Sequence, residues 1–213
     1  MSGPVTVAVI DYGAANMVSI ARALDAVGAR VTVAEDASGL AGADALVVPG
    51  VGAAPPAMAH LAERGLSQPI VDWGRSGRPI LGICLGYQIL FERSDEGDAA
   101  TLGLLPGRTV ALSGAPTLPH IGWNSVEQVR PHALFEGVPA GTYFYFVHSY
   151  APVPADEADV IARTTHGRPF VSAATHGSLY GLQFHPEKSS DAGLRVLVNF
   201  VGLVEACRAG RAA

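Results

Sequence analysis

Short apolar runs and longer amphipathic stretches alternate along the first half of the chain. The apolar runs predict strands at residues 5–10, 30–34, 45–48 and 79–83, and the first is nearly continuous, as in a strand covered on both faces. Between the first two, apolar residues recur at helical spacing and a glycine follows them, which predicts a helix over Met17, Ile20, Ala21, Leu24 and Val27 ending before Gly28. Further helices are expected at 55–64 and 69–75.

This order of elements predicts an α/β fold: a three-layer sandwich with a mixed, mostly parallel central sheet flanked by helices. After about residue 95 the pattern becomes richer in strands, the clearest at 142–150, 170–174 and 179–184, followed by a terminal helix over 189–208. Ligands of parallel sheets bind beyond the carboxyl ends of the strands. Asp11, the segment 50–52 and Cys84 all follow predicted strands there.

Composition limits the classes of function. A chain of 213 residues with 49% hydrophobic and 15% charged residues is expected to form one domain, residues 1–213, with a sizeable core. The net charge of −5 and the lack of a basic patch disfavour nucleic-acid binding. No secretory signal or membrane-length apolar run is apparent, and the two cysteines form no disulfide framework. We therefore expect a cytoplasmic protein that binds neither membranes nor nucleic acids.

Cys84 stands where a nucleophile would be expected. The segment 79–88 predicts a buried strand that runs into the cysteine and turns at once into a helix over 85–93. Gly82 and Gly86 flank it at equal spacing, as in a nucleophile elbow, where the neighbouring chain passes too close for side chains. The start of a helix also favours a thiolate. Taken alone, a cysteine at the end of a core strand is more often a small packing residue.

A histidine and a carboxylate downstream favour the catalytic interpretation. His185-Pro186-Glu187 follows a predicted strand, and residues two apart in an extended segment point to the same side. Glu187 can then orient the imidazole of His185, which can take the proton of Cys84. The oxyanion would need amide donors, for which the backbone of Leu85 and that of Val51 or Gly52 are candidates.

Other chemistries lack their motifs. The histidines and cysteines show no metal-ligand spacing, and there is neither a phosphate-binding loop nor a dinucleotide fingerprint. No metal and no cofactor are therefore expected.

With the segments 82–88 and 185–187 in place, the chain resembles the class I, triad-type glutamine amidotransferases, which have a flavodoxin-like sandwich. The resemblance extends over essentially the whole chain. Within that superfamily, further segments are similar to the glutaminase subunits of imidazole glycerol phosphate synthase: 11–13 with Asn16, 49–52, 119–124, 146–150 and 183–189.

The resemblance implies a reaction and a partner. Cys84 would attack the side-chain amide of L-glutamine, giving a thioester and ammonia, and water would release glutamate. The ammonia would pass to a (β/α)₈ cyclase subunit in a heterodimer, which forms imidazole glycerol phosphate and aminoimidazole carboxamide ribotide in histidine biosynthesis. The implied glutamine-binding residues are Gly52, Gln88, Ser149 and Tyr150. The positions implied near the interface are Asn16, Ile121, Trp123, Tyr145 and Lys188, with core packing as the alternative for Trp123 and Tyr145.

Three alternatives remain at this stage. The chain could supply ammonia to anthranilate or pyridoxal phosphate synthesis, act as a stand-alone cysteine hydrolase, or be an idle docking module. Ala15, and the segment Ala54-Pro55-Pro56, depart from the pattern usual in the family. Both lie outside the triad, and they leave open the details of the partner-facing loops and of how the oxyanion loop moves.

Overall fold

The computed structural model describes residues 3–13 and 17–212. In these ranges the strands β1 to β13 occupy Thr6–Ile10, Arg30–Ala34, Ala45–Val48, Ile80–Ile83, Phe91–Ser94, Ala99–Ala100, Leu105–Ala111, His120–Gln128, Thr142–His148, Tyr150–Pro154, Val160–His166, Arg168–His176 and Leu179–Leu182. The helices α1 to α5 occupy Met17–Ala26, Ala54–Glu63, Ser67–Arg75, Leu85–Gln88 and Ser190–Ala212.

A nine-stranded sheet runs through the described part of the chain in the order β2-β1-β3-β4-β13-β12-β11-β8-β9. The pairings from β2 to β13 are parallel, and those from β13 to β9 are antiparallel. The predicted α/β class and mixed sheet are confirmed. The two kinds of pairing are equal in number, so "mostly parallel" describes the half built around β1, β3 and β4 and not the whole sheet.

Helices cover both faces of the sheet because each strand presents alternate side chains to opposite sides. Val7 and Val9 of β1 share a core with α1 and α5, which contribute Leu24 and Phe200. Ala8 and Ile10 of the same strand, with the side chains of α2 and α3, belong to a second core on the other face. The three-layer arrangement follows from this division.

The predicted helix over 85–93 is wrong beyond its first turn. α4 ends at Gln88, and Phe91–Ser94 is strand β5 of a second sheet with the order β10-β7-β5-β6. The carbonyl groups of Ile89, Leu90 and Phe91 accept hydrogen bonds from the backbone of residues 102–105. A helix cannot continue once tertiary pairing takes the acceptors that it needs.

Other boundaries differ by smaller amounts. The predicted strand 142–150 is broken at Ser149, so that β9 lies in the large sheet and β10 in the small one. The strand expected over 179–184 ends at Leu182, and the terminal helix continues to Ala212. The acidic segment at residues 95–100 contains a short 3-10 helix, Glu96–Asp98, and the two-residue strand β6. Within the described ranges, no helix is long and apolar enough to cross a membrane.

Candidate active site

Cys84 lies in a strained turn between β4 and α4. Its backbone angles are φ 54° and ψ −113°, outside the regions that a non-glycine residue usually adopts. Such a conformation costs on the order of 1–3 kcal/mol and is kept when the surroundings enforce it. A Cβ on Gly86 would come within 1.7 Å of the Val48 carbonyl oxygen, and one on Gly82 within 2.7 Å of the Tyr87 Cα. The close approach expected at both glycines is confirmed.

The thiol of Cys84 is nearly enclosed, with 4% of the residue exposed. Its sulfur lies 3.7 Å from the Val147 carbonyl oxygen and 3.8 Å from Nε2 of Gln183. The helix that follows has only one turn, so the helix dipole is a smaller contribution than the sequence suggested. The local charge partner of the thiol is instead a histidine from the far end of the chain.

His185 and Glu187 form a buried pair beside the elbow. Nδ1 of His185 donates to Oε1 of Glu187 at 2.8 Å, and both side chains are about 5% exposed or less. The backbone here is the 3-10 helix Pro186–Lys188, not the extended segment assumed from sequence. The expected contact therefore forms through a turn, and Ser189 stabilises it because its hydroxyl donates to the His185 carbonyl oxygen at 2.6 Å.

The electrostatics of the site favour a charged imidazole. Burial lowers the pKa of His185, but the hydrogen bonds and charges of Cys84 and Glu187 outweigh it and raise the pKa to about 9. Among the residues that the structure describes, none forms a hydrogen bond of acceptable distance and angle with the buried Nε2 of His185, although Cys84 is near enough to affect the pKa. The structure therefore brings the three predicted catalytic side chains together and, because Nδ1 is bonded to Glu187, leaves Nε2 as the nitrogen that can exchange a proton.

The loop that follows β3 accepts a hydrogen bond from one of the backbone amides that were predicted to stabilise the oxyanion. The backbone N–H of Leu85 donates to the Gly50 carbonyl oxygen at 3.4 Å, a long and weak bond. Tyr12 anchors the same loop, because its hydroxyl donates to the Pro49 carbonyl oxygen at 2.9 Å. Gly52 has φ +95°, which favours glycine, and Val51 is 42% exposed. In this conformation the Leu85 amide is engaged by the protein's own backbone.

A cavity of about 400 Å³ opens beside the thiol. Its lining includes Cys84, the expected oxyanion residues and all four expected glutamine-binding residues: Val51, Gly52, Leu85, Gln88, Ser149 and Tyr150. The remaining lining residues are Glu96, Pro119, Val147, His148 and Lys188, the last of which was expected at the partner interface.

Glu96 is the lining residue that the sequence analysis missed most clearly. Its Oε2 accepts the backbone N–H of Ala54 at 2.8 Å, which ties the acidic segment to the start of α2. Nothing in the local sequence distinguishes Glu96 from the other acidic residues of this segment, Asp95 and Asp98. Only the tertiary fold places it at the cavity and so provides a carboxylate there.

The side chain of Gln88 is held in place within this cavity. Its Nε2 donates to the Tyr150 carbonyl oxygen at 2.8 Å and to Oε1 of Gln183 at 3.1 Å. Because both amide protons are used, the orientation of the amide is fixed.

An exposed apolar patch lies on the outer face of β8 and β9. Ile121, Trp123 and Tyr143 are 61%, 51% and 60% exposed, and Trp123 packs edge-on against Tyr145 with ring centroids 6.2 Å apart. Nζ of Lys188 lies 5.6 Å from the centre of the Tyr145 ring. Core packing therefore does not account for Trp123. Tyr143 was missed by the sequence analysis, and Asn16 and Ala15 lie outside the described residues.

Across residues 3–13 and 17–212, no group of three or more His, Cys, Asp or Glu side chains is arranged to hold a metal ion. His60 is exposed in the last turn of α2, and His132 and His176 lie at the edges of elements away from Cys84.

Comparison with known proteins agrees with this geometry. The family model "Glutamine amidotransferase class-I" matches residues 8–202. The chain is 48% identical to the imidazole glycerol phosphate synthase subunit HisH of Moorella thermoacetica, over 93% of this chain and 95% of that protein. It is 43% identical to the HisH subunit of Synechococcus elongatus, over 98% of each chain.

Two solved structures share the fold at low identity. A crystal structure of a glutamine amidotransferase matches with a TM-score of 0.70 at 22% identity, covering 92% of this chain and 98% of that chain. The structure of PurLQS from Thermotoga maritima matches with a TM-score of 0.75 at 19% identity, covering 95% and 100%. The chain belongs to the class I glutamine amidotransferases and, within them, to the HisH subunits of imidazole glycerol phosphate synthase.

Proposed function

We propose that this protein hydrolyses L-glutamine to L-glutamate and ammonia, with Cys84 as the nucleophile. The observation that carries the proposal is the strained elbow at Cys84, which holds the thiol beside the buried His185–Glu187 pair at the wall of a cavity. We also propose that residues 1–213 act as one glutamine amidotransferase domain.

The reaction proceeds in two steps. The Cys84 sulfur forms a bond to the side-chain carbonyl carbon of glutamine, and the carbon–nitrogen bond breaks as His185 gives its proton to the departing ammonia. Water then adds to the thioester while His185 accepts a proton, and glutamate leaves as the thiol is restored. Glu187 keeps the imidazole in place and stabilises its charged form.

Substrate binding uses the polar groups around the cavity. Gln88, Ser149, Tyr150 and Gly52 hold the glutamine, and the fixed amide of Gln88 gives the site a defined orientation. Glu96 lines the same cavity, and its carboxylate is suited to the α-ammonium group of the substrate. A free amino acid carries a positive ammonium group and a negative carboxylate. A site with a carboxylate and several polar donors therefore matches its chemistry.

The oxyanion of the tetrahedral intermediate is stabilised by the backbone amides of Leu85 and of Val51 or Gly52. The Leu85 amide becomes available when the Gly50 carbonyl moves away from it. Because that contact is 3.4 Å long, it is weak enough for a rearrangement of the loop to break it.

The ammonia is passed to a cyclase subunit. The curated relatives are named as subunits of imidazole glycerol phosphate synthase, which supports a heterodimer with a partner that uses ammonia. We propose a (β/α)₈ barrel as that partner, and the cytoplasm as the compartment. The exposed patch supports an interface at Ile121, Trp123, Tyr145 and Lys188, to which Asn16 is added from the sequence.

The test is glutaminase turnover of the purified chain, measured alone, with the cyclase subunit, and with the cyclase and its ligand. We expect low turnover alone and an increase of at least about tenfold in the liganded complex, because the loop must first free the Leu85 amide. High turnover without a partner would favour a stand-alone hydrolase. Stimulation only by a different synthase would overturn the choice of partner.

A further inference from the structure

A row of hydrogen bonds leads from Asn124 on β8, through two buried histidines, to the glutamine cavity. Nδ2 of Asn124 lies 3.2 Å from Nε2 of His120, and Nδ1 of His120 lies 3.0 Å from Nε2 of His148. Nδ1 of His148 then lies 2.8 Å from the Tyr150 carbonyl oxygen. The two histidines are 4% and 6% exposed. None of these three side chains belongs to the proposed catalytic set.

The acceptor at the end of the row, the Tyr150 carbonyl oxygen, determines the donor and the acceptor in every bond before it. A carbonyl oxygen only accepts, so Nδ1 of His148 carries a hydrogen and donates to Tyr150. In the neutral ring Nε2 is then an acceptor, and Nδ1 of His120 must donate to it. Nε2 of His120 therefore accepts from the Asn124 amide, whose nitrogen is independently identified by its 2.9 Å bond to the Thr165 carbonyl oxygen.

This row requires both rings to be neutral, because a proton on either would place two N–H groups against each other. The environment enforces that state. Burial lowers the pKa of His148 to about 3, where the charges of His120, His166 and His185 also act to lower it. Burial and the charge of His166 lower the pKa of His120 to about 4. The tautomers are therefore fixed at neutral pH.

The row ends at the group that orients Gln88. The Tyr150 carbonyl oxygen accepts from His148 on one side and from Nε2 of Gln88, at 2.8 Å, on the other. Both contacts lie at the break between β9 and β10, where Ser149 and Tyr150 face the cavity. Val147, one residue before His148, contacts the Cys84 sulfur through its carbonyl oxygen. A shift of this break would move the proposed substrate contacts.

We propose that His148 and His120 are positioning residues for glutamine: through the Tyr150 carbonyl, they hold Gln88 and the Ser149–Tyr150 corner in the geometry that binds the substrate. The inference rests on the proposal that this cavity binds glutamine. Although the cavity lining includes His148, both histidines act through the Tyr150 carbonyl oxygen and transfer no proton.

The experiment compares two polar substitutions of His120 in the complex with the cyclase. His120→Asn places an amide nitrogen where Nδ1 lies and can still donate to His148. His120→Gln extends the amide to the position of Nε2 and loses that donor. Both variants keep a polar side chain at the same site. His176→Leu, at an exposed histidine that pairs with Asp159, is the control.

We expect His120→Gln to raise KM for glutamine by about tenfold, the value of one net hydrogen bond, with kcat changed less than KM. His120→Asn should stay within about threefold of the wild type, a difference below 1 kcal/mol. His148→Leu should behave like His120→Gln, and His148→Asn should recover most of the loss. Ammonium-driven synthesis should be unchanged in every variant.

Labelling of Cys84 separates positioning from general damage. A chloroketone analogue of glutamine needs the amino-acid contacts, whereas iodoacetamide does not. His120→Gln should react about tenfold more slowly than the wild type with the analogue, and at the rate of the wild type with iodoacetamide. Equal KM values for the Asn and Gln variants, or equal slowing with both reagents, would overturn the inference. If the wild type is not labelled at Cys84 by the analogue, the proposed function itself fails.

Discussion

The charge state of His185 is the residue-scale property on which the chemistry depends. Two neighbours compete with burial: Cys84 and Glu187 favour the imidazolium, and their combined effect raises the pKa to about 9. A protonated imidazole is ready to give its proton to the leaving ammonia. Glutaminase activity should therefore hold from neutral pH upward and fall as the pH passes the raised pKa of His185.

Replacing Glu187 tests this assignment. In Glu187→Gln one of the two groups that raise the pKa of His185 is lost, so the alkaline limit of kcat/KM should move to lower pH. The rate at neutral pH should fall by about 10² to 10⁴-fold, less than on removal of the nucleophile, because Glu187 orients rather than attacks. A pH profile of kcat/KM for the stimulated complex measures both effects.

The control is Glu205→Gln, an exposed carboxylate on α5. It should leave the profile of the wild type intact. An unshifted alkaline limit in Glu187→Gln would show that the carboxylate does not support the imidazolium.

At the scale of elements, the turn between β4 and α4 depends on Gly82 and Gly86, because a side chain at either position would collide with neighbouring backbone. Gly86 lies against the backbone of Val48, which cannot move aside without disturbing the pairing of β3 with β4. The strain at Cys84 is thus maintained by packing between the parallel strands and the helix that follows.

Gly86→Ala should consequently destabilise the fold. The added carbon would lie 1.7 Å from the Val48 oxygen, and overpacking against backbone is expected to cost about 3 kcal/mol, the upper end of the usual range. Denaturant unfolding of the isolated chain measures the change in the free energy of unfolding. Gly202→Ala, in α5 with nothing within 4 Å of the new carbon, should instead gain about 0.5–1 kcal/mol. A neutral effect of Gly86→Ala would contradict the close approach that defines the elbow.

The sequence predicted the elements that depend on a local pattern of residues. It did not predict the element boundaries that depend on hydrogen bonds to segments far away in the chain. β1 to β4, their parallel pairing and the elbow follow from apolar runs and glycine spacing. The end of α4 depends on residues 102–105, which take the carbonyls of residues 89–91. The break at Ser149 depends on strands of two different sheets. Such pairings carry no local signal, which is also why Glu96 and His148 were not assigned to the cavity.

At the scale of the whole molecule, strand β9 carries part of the apolar patch and also contacts the nucleophile and its base. β9 presents Tyr143 and Tyr145 to the outside, while its carbonyl groups at Tyr145 and Val147 contact the His185 backbone N–H and the Cys84 sulfur. Partner binding at the patch would therefore act on the strand that supports the nucleophile and its base. The family resemblance implied Ile121 and Trp123 at an interface, and Tyr143 is exposed on the same face of the sheet.

Trp123→Ala tests the patch as an interface. Loss of a half-exposed tryptophan at a binding surface typically costs about 2 kcal/mol, so the Kd for the cyclase should rise by about thirtyfold. The stability of the isolated chain should change much less. Val129→Ala, equally exposed at 51% but outside the patch, should leave the Kd near that of the wild type. Calorimetric titration with the cyclase gives both values, and equal Kd values would place the interface elsewhere.

The central claim is that Cys84 releases ammonia from glutamine for use by the partner. Its most direct test is Cys84→Ala in the assembled complex, with synthesis measured from glutamine and, separately, from an added ammonium salt. Synthesis from glutamine should be lost and synthesis from ammonium should remain at the level of the wild type, because only the nucleophile is missing. Continued synthesis from glutamine in this variant would contradict the assignment of Cys84.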